Sequence, residues 1–454
     1  MRIAIFGAGP AGFFAAEELL KTAGRAVAVD LFDRLPTPYG LVRGGVAPDH
    51  QSTKAVVRQY ERIAARPGFR FAGNVTFGAD LSLAEALAHY HQVLLATGAE
   101  TDRHLGIPGE ELPGSHPATK FVGWFNGHPD YRDERFDLDA ERAVVVGHGN
   151  VAVDVARILV RSPDELARTD IADYSLDALR RSRVREVSLL GRRGPGQAAF
   201  SSPELSELAR LSSVDLVVRP DDLDAEGAHR IGLSGDPHHH PHRNIEILTA
   251  QIAKGEGNQE RKIRIRFYVT PVAILGDRHV EAVRVELNGL VEDPAGGVKA
   301  VGTGVFEEIP CGLVFRAVGY RGQRLPDLPF DERNGVIPNR EGRVIDPGTG
   351  APIPRVYVAG WIKRGPSGVI GTNRPDAVAT VHAMLADADG IGAPSLPAAD
   401  VLAFLAHKGI ETVSFEAWTR IDKMEIARGL VLGKPRDKFT TRAELLAAAR
   451  VPAE

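Results

Sequence analysis

The chain has 454 residues, enough for about three domains of ordinary size or two larger ones, and either arrangement buries a substantial core. Its 55 Lys and Arg against 59 Asp and Glu leave a formal net charge of −4, which offers no global attraction to nucleic acid or to an anionic membrane. A single cysteine, Cys311, excludes an intrachain disulfide, a redox-active cysteine pair and a four-thiolate iron–sulfur site.

Any electron carrier is therefore expected to be a bound organic cofactor or to sit on another chain, with Cys311 a small buried hydrophobe. No apolar run is long enough to span a bilayer. The sequence enters a strand-like run, Ile3-Ala4-Ile5-Phe6, directly after Met1-Arg2, which leaves no room for a leader peptide. The expectation is a cytoplasmic protein with neither nucleic-acid nor membrane partners.

In chain order, residues 2–6 read as a strand, 10–22 as a helix and 26–32 as a second strand closed by Asp33. Between the first strand and the helix stands Gly7-Ala8-Gly9-Pro10-Ala11-Gly12. In such a turn Gly7 permits the tight bend, Gly9 lets the backbone approach a pyrophosphate and Gly12 lets helix and strand pack closely. The helix N-terminus supplies amides and the positive dipole end to the phosphates, and Asp33 stands where an acid binds ribose hydroxyls.

Residues 93–97 form a short buried-strand run closed by Gly98, after which the pattern restarts. Ala143–Val146 reads as a strand, Asn150–Arg161 as a helix and Val187–Leu190 as the next strand, with an inserted helical stretch around Pro163–Arg185. The second fingerprint, Gly147-His148-Gly149-Asn150-Val151-Ala152, carries alanine in its third position, which the same packing allows. Its second strand ends in Gly191-Arg192-Arg193 rather than in an acid. A carboxylate there would repel an adenosine 2′-phosphate, whereas two guanidiniums can grip it, so NADP(H) is expected over NAD(H).

Residues 263–271 and 279–287 alternate and are β-branched, which predicts antiparallel strands added to the second unit. Val314–Val318 and Val356–Ala359 are again buried strands, a helix begins near residue 375, and the tail after Pro394 has the pattern of amphipathic surface helices. The alternation predicts an α/β chain with two Rossmann-like dinucleotide-binding domains. His238-His239-His240 with His242 falls in a Pro-containing loop without helical spacing or a nearby cysteine, and no metal site is expected there.

Several longer motifs sharpen this. Pro38-Tyr39-Gly40-Leu41-Val42-Arg43, Gly45-Val46-Ala47-Pro48-Asp49-His50, Phe121-Val122-Gly123-Trp124, Asp154–Leu159, Gly191–Pro195, Gly360–Ile370 and the tail from Val413 to Arg436 resemble the adrenodoxin reductase type of ferredoxin–NADP⁺ reductase along essentially the whole chain. The resemblance implies a FAD domain over residues 1–104, a NADP domain over 105–325 inserted into it, and a return to the FAD domain over 326–454 with a helical tail. It implies FAD contacts at Ala11, Asp33, Leu41, Phe77 and Trp361 and along Gly368, Val369 and Ile370. NADP contacts are implied at His148, Gly149, Asn150, Val151, Arg192, Arg193, Glu204 and Gly368. The family usually has Glu at the Asp33 position and Val at the Phe77 position.

His50 and Glu207 match a histidine and a glutamate near the nicotinamide in that family, where an imidazole titrating near neutrality can relay protons while a carboxylate orients it. The implied activity is electron transfer between NADPH and a small iron–sulfur carrier through FAD, with the carrier docking on a local basic patch around Arg243 or Lys363-Arg364. Two competing readings are a NADPH-oxidising subunit of a glutamate-synthase-like complex and a non-catalytic flavin-binding redox sensor. The first normally carries cysteine-rich iron–sulfur segments, which this chain lacks; the second leaves Arg192 and Arg193 unexplained.

Overall fold

The apolar run Arg2–Phe6 becomes an inner strand of a seven-stranded sheet, and both of its neighbours come later in the chain. Ala28–Asp33 pairs with it on one side and Gln92–Leu95 on the other, both parallel. Phe69–Gly73 extends one edge; Pro352–Val358, Arg343–Ile345 and Asn339–Arg340 extend the other, the last two antiparallel. A strand flanked this way is a topological switch point, where ligands bind beyond the carboxyl ends of the strands. Ile3 and Ile5 pack on one face with the helix Pro10–Lys21, while Ala4 and Phe6 pack on the other, as the period of two requires.

The structure of the chain, a computed structural model, describes residues 1–22, 26–224, 240–292, 298–397 and 400–452. His238 and His239 lie outside the described residues. Two units are formed, one from residues 1–101, 126–130 and 320–454 and the other from 102–125 and 131–319. The crossings fall near, but not at, the 104/105 and 325/326 positions given by the resemblance.

The second unit repeats the plan. Arg142–Val146 lies between Glu186–Leu190 and Leu313–Arg316 in a six-stranded, all-parallel sheet that also holds Ser115–Pro117, Arg261–Arg266 and Val214–Val218. The helices Pro163–Leu166 and Asp173–Arg180 fill the long interval between the second fingerprint and Arg192, as expected from the sequence.

Two expectations are corrected. The run 263–271 is not one antiparallel strand: it breaks at Phe267-Tyr268, so that Arg261–Arg266 joins the parallel sheet and Val269–Leu275 starts a separate antiparallel one. Tyr268 has φ +56°, a left-handed residue that no strand accommodates. That second sheet continues through Ala282–Glu292 and Val298–Pro310. The tail, for its part, is no surface decoration. Trp418, Ile421 and Leu445 from Phe415–Val431 and Arg442–Ala449 join the core that holds Ile3 and Phe13, and Val401 and Leu405 join the one that holds Phe6.

Candidate dinucleotide-binding sites

In the first unit the chain leaves the strand Arg2–Phe6 at Gly7, φ +108°, whose N–H donates to the Phe32 carbonyl at 2.8 Å. A Cβ on Gly12 would stand 2.0 Å from the Gly7 carbonyl oxygen, so helix and turn are as close as bare backbone permits. Gly9 is different: nothing lies within 4 Å of where its Cβ would be. The helix that Gly9 caps has no side-chain cap and no acid in its first turn. Uncapped amides and a positive dipole end beside open space suit a pyrophosphate, and FAD fits this turn.

The motif Pro38–Arg43 forms a wall of the same turn. Tyr39 has φ +85° and donates its N–H to the Ala8 carbonyl at 2.8 Å; Gly40 follows at φ +50°, where a Cβ would come within 3.1 Å of the Gly9 Cα. Leu41 opens the short helix Leu41–Gly44, and Arg43 from that helix grips Glu425 with two bonds of 2.8 and 2.6 Å. Glu425 is wholly buried and also takes bonds from Arg436 at 3.2 Å and from the Phe439 N–H at 3.0 Å. Burial alone would push this carboxyl up, but Arg43 and Arg436 outweigh it and hold it below its ordinary range. The Trp418 indole N–H reaches the Tyr39 hydroxyl at 3.3 Å, so the tail braces the wall at two points.

Asp33 sits back on the fingerprint: its two oxygens accept the Ala8 N–H at 2.8 Å and the Leu35 N–H at 2.9 Å. Each oxygen keeps a further lone pair for a ribose hydroxyl. Burial pushes its pKa up to about 6, against the two amides that favour the ionised form. Phe77 points its ring into the core, edge-on to Phe6 at 4.8 Å, which leaves its backbone for any contact with a nucleotide.

The third wall is the segment from Gly360. Its φ is +76°, and a Cβ there would stand 2.7 Å from that of Ala11. The Gly360 N–H donates to Asp376 at 2.6 Å, and Trp361 follows, its indole N–H on the Ser367 carbonyl at 3.1 Å and its ring 5.6 Å from Tyr320. Gly368 (φ +78°) opens onto Val369 and Ile370, whose carbonyls both accept from Asn373 at 3.2 Å. Lys363 is not a docking charge: its ammonium is turned inward onto Asp376 at 2.9 Å and Thr380 at 3.0 Å. Arg364 likewise binds Ser367 and Asn373. Both side chains are half-buried and hydrogen-bonded within the chain.

In the second unit Gly147 (φ +132°) would set a Cβ 2.3 Å from the Ala317 carbonyl, and Gly149 again has open space. The helix Asn150–Val160 lacks a side-chain cap and a first-turn acid, which suits a second pyrophosphate. The His148 ring is buried; its Nε2 donates to the Leu189 carbonyl at 3.2 Å, and it fills the space above Gly191, where a Cβ would meet Nδ1 at 2.1 Å. Burial pulls its pKa down to about 4, so it is neutral, and its backbone is what faces the turn. Asn150 anchors the next loop by accepting the Ser201 N–H at 2.8 Å.

At the second strand end Arg192 is exposed and Arg193 half-buried. Burial and the neighbouring Arg192 both push Arg193 below its ordinary value, a like-charge cost that a bound dianion would relieve. Glu204 and Glu207 share the helix Ser202–Ala209 and converge on the buried Arg157, with Glu204 at 3.4 Å and Glu207 at 3.8 Å; Arg161 stands 3.6 Å from Glu207.

Residues 1–190 match the pyridine nucleotide-disulphide oxidoreductase family. Over 458 residues the chain is 46% identical to the NADPH-ferredoxin reductase FprA of Mycobacterium tuberculosis, with 98% of each sequence covered. The chain belongs to the ferredoxin–NADP reductase family of FprA and adrenodoxin reductase. It is also 41% identical over 463 residues to the mitochondrial NADPH:adrenodoxin oxidoreductase of Arabidopsis thaliana, covering 99% of this chain and 95% of that one. The solved structure of M. tuberculosis FprA in complex with NADPH superposes with a TM-score of 0.90 at 45% identity and 99% coverage of both chains. The chain's one cysteine, Cys311, is buried, and burial pushes its thiol up to about 12, so the chain holds no cysteine pair.

Within each unit the expected residues of this reductase do meet. Gly7, Gly9, Ala11, Gly12, Asp33 and Leu41 surround one turn, and Trp361 shares a wall with Gly368–Ile370. Gly149, Asn150 and Val151 open the second helix. His50 belongs to the first unit, where it caps the helix Gln51–Lys54 and donates its N–H to Ala47 at 3.0 Å; Glu207 belongs to the second. Sequence reasoning missed Arg157, Asp376 and Glu425. Only Arg157 carried a readable signal, the i, i+3 spacing from Asp154 that gives a 2.7 Å pair.

Proposed function

We propose that this reductase carries FAD in its first unit and NADP(H) in its second and moves electrons between NADPH and a one-electron iron–sulfur carrier of the ferredoxin type. The observation that carries the reading is the contrast between like turns with unlike strand ends: Asp33 suits an unphosphorylated ribose, and Arg192-Arg193 a phosphorylated one. FAD, when bound, takes two electrons from NADPH as hydride and passes them on one at a time.

The chain's own residues bind, orient and compensate charge. Gly9 and the helix behind it receive the flavin dinucleotide's pyrophosphate, with Asp33 on its ribose and Leu41, Trp361, Gly368, Val369 and Ile370 along its length. Gly149, Asn150 and Val151 receive the second pyrophosphate and Arg192 and Arg193 its 2′-phosphate, with Glu204 and Gly368 as further NADP contacts. His50 is given proton handling, and Glu207 is placed within its own unit by Arg157 and Arg161. An acidic carrier would meet Arg243, which is exposed on Pro241–Lys254 and paired only loosely, at the surface, with Glu246 at 2.8 Å.

Anaerobic mixing of the flavin-loaded protein with NADPH tests the reading. The yellow colour bleaches with NADPH and poorly with NADH, and cytochrome c reduction requires added ferredoxin. Equal bleaching by both nucleotides, or none, overturns it. In the same instrument His50→Gln alters the rate or the nucleotide dependence of bleaching; an unchanged trace removes His50 from the mechanism.

A further inference from the structure

Arg192 and Arg193 follow the strand Glu186–Leu190 of the second unit, directly after Gly191. Arg157, Arg185, Arg264 and Arg266 all grip carboxylates, whereas among the described residues neither guanidinium of the pair has a hydrogen-bond or ion-pair partner. What fixes them is their backbone. The Val269 N–H donates to the Gly191 carbonyl at 3.0 Å and the Tyr268 N–H to the Arg193 carbonyl at 3.2 Å. The Arg192 carbonyl between them accepts from a side chain, Asn288 Nδ2, at 2.9 Å.

Asn288 is itself placed with care. Its backbone N–H donates to the Tyr268 carbonyl at 2.7 Å, and its Nδ2 also reaches Thr270 Oγ1 at 2.8 Å. It sits where the ladder between Ala282–Glu292 and Val298–Pro310 shifts register, Glu286 facing Phe306 but Asn288 facing Gly302. Bulges of this kind turn a strand and re-aim the side chain that follows. Gly304 N–H on Glu286 at 2.9 Å and Thr303 Oγ1 on the Leu287 carbonyl at 2.8 Å hold the bulge shut. A donor on a braced ribbon thus reaches the peptide that carries the two charges.

We propose that Asn288 is a positioning residue for nucleotide selectivity: by holding the Arg192 carbonyl it orients the Arg192-Arg193 pair for the adenosine 2′-phosphate. The inference rests on the reading that these arginines receive that phosphate. A planar guanidinium binds a phosphate through paired, directional bonds, and a peptide free to rotate would spread those bonds over many orientations. A nucleotide without the 2′-phosphate makes no use of the pair.

The test compares Asn288→Ala with Arg192→Ala and Arg193→Ala in the FAD-loaded protein, with ferricyanide as acceptor. Asn288→Ala is expected to lower kcat/KM for NADPH about three- to tenfold, the span of one hydrogen bond, through KM with kcat unchanged. NADH turnover stays within about twofold, because Asn288 touches nothing that NADH uses. Calorimetry with adenosine 2′-monophosphate as probe shows the same fall in affinity, and adenosine 5′-monophosphate shows none. Asn288→Asp, of the same shape but without a donor, reproduces the loss and serves where the alanine variant does not fold. Equal losses for NADPH and NADH, or an unchanged ratio, overturn the proposal. If the arginine variants also leave the ratio unchanged, the reading of the 2′-phosphate site falls with it; if they collapse it while Asn288→Ala does not, only the role of Asn288 falls.

Discussion

Gly12 and Ala152 occupy the same step in two turns of one design, yet a Cβ on Gly12 would run into the Gly7 carbonyl at 2.0 Å, whereas Ala152 carries its methyl fully buried and unstrained. The two turns also differ in what stands beside them. The first is walled by Tyr39, Gly40 and Gly360 and braced from the C-terminal tail through Arg43 and Glu425. Beside the second, an antiparallel ribbon holds the strand end at Arg192-Arg193 through Tyr268 and Asn288. Each glycine turn is thus a local motif, while the elements that brace it or its neighbouring strand end come from remote parts of the chain.

The largest expected effect breaks the first wall alone. Glu425→Ala strands Arg43 and Arg436 beside a buried void and should cost about 3–5 kcal/mol, as loss of one partner of a buried pair does. Denaturant melts of the flavin-loaded protein should show it as early loss of flavin. Affinity for adenosine 2′-monophosphate at low temperature should not change, and a loss there would mean that the tail supports both sites.

The next effect separates the two turns at their shared step. Gly12→Ala should cost about 3 kcal/mol by overpacking against backbone and leave the purified protein flavin-poor. Ala152→Gly, which only loosens a helix, should cost about 1 kcal/mol and leave nucleotide affinity nearly intact. Similar melting shifts for the two variants would show that the turns are equally tight.

The smallest effect is a pair of opposite pH slopes in the flavin-free protein. Asp33 is raised to about 6, so between pH 4 and 6 the folded chain holds a proton that the unfolded chain releases. Stability from this group is present below pH 4 and is lost as pH rises through 6, by at most about 3 kcal/mol. His148 is lowered to about 4, so between pH 4 and 6.5 the unfolded chain binds the proton. Its stability is present above pH 6.5 and is lost as pH falls through 4, by a similar limit of about 3 kcal/mol. Melting temperatures of Asp33→Asn and His148→Gln, each subtracted from the parent across this range, should slope in opposite directions. Parallel slopes would remove one of the two burial arguments.

The sequence by itself determined both turns, the charge contrast at the strand ends and the doubly wound architecture, because each depends on residues within about 50 positions of one another and on a short period of apolar side chains. It also excluded a four-thiolate iron–sulfur cluster held by this chain, since one cysteine cannot supply the ligands. Only the tertiary structure decided that the tail belongs to the core and that Lys363 is an internal charge. It alone decided that Tyr268 splits one apparent strand between two sheets and that Asn288 reaches Arg192 across 96 positions. Contacts of that kind leave no periodicity in the chain: a buried carboxylate such as Glu425 and an exposed one look alike until the fold brings Arg43 to one of them. Such contacts join residues far apart in the chain, so no short stretch of sequence contains both partners of any of them.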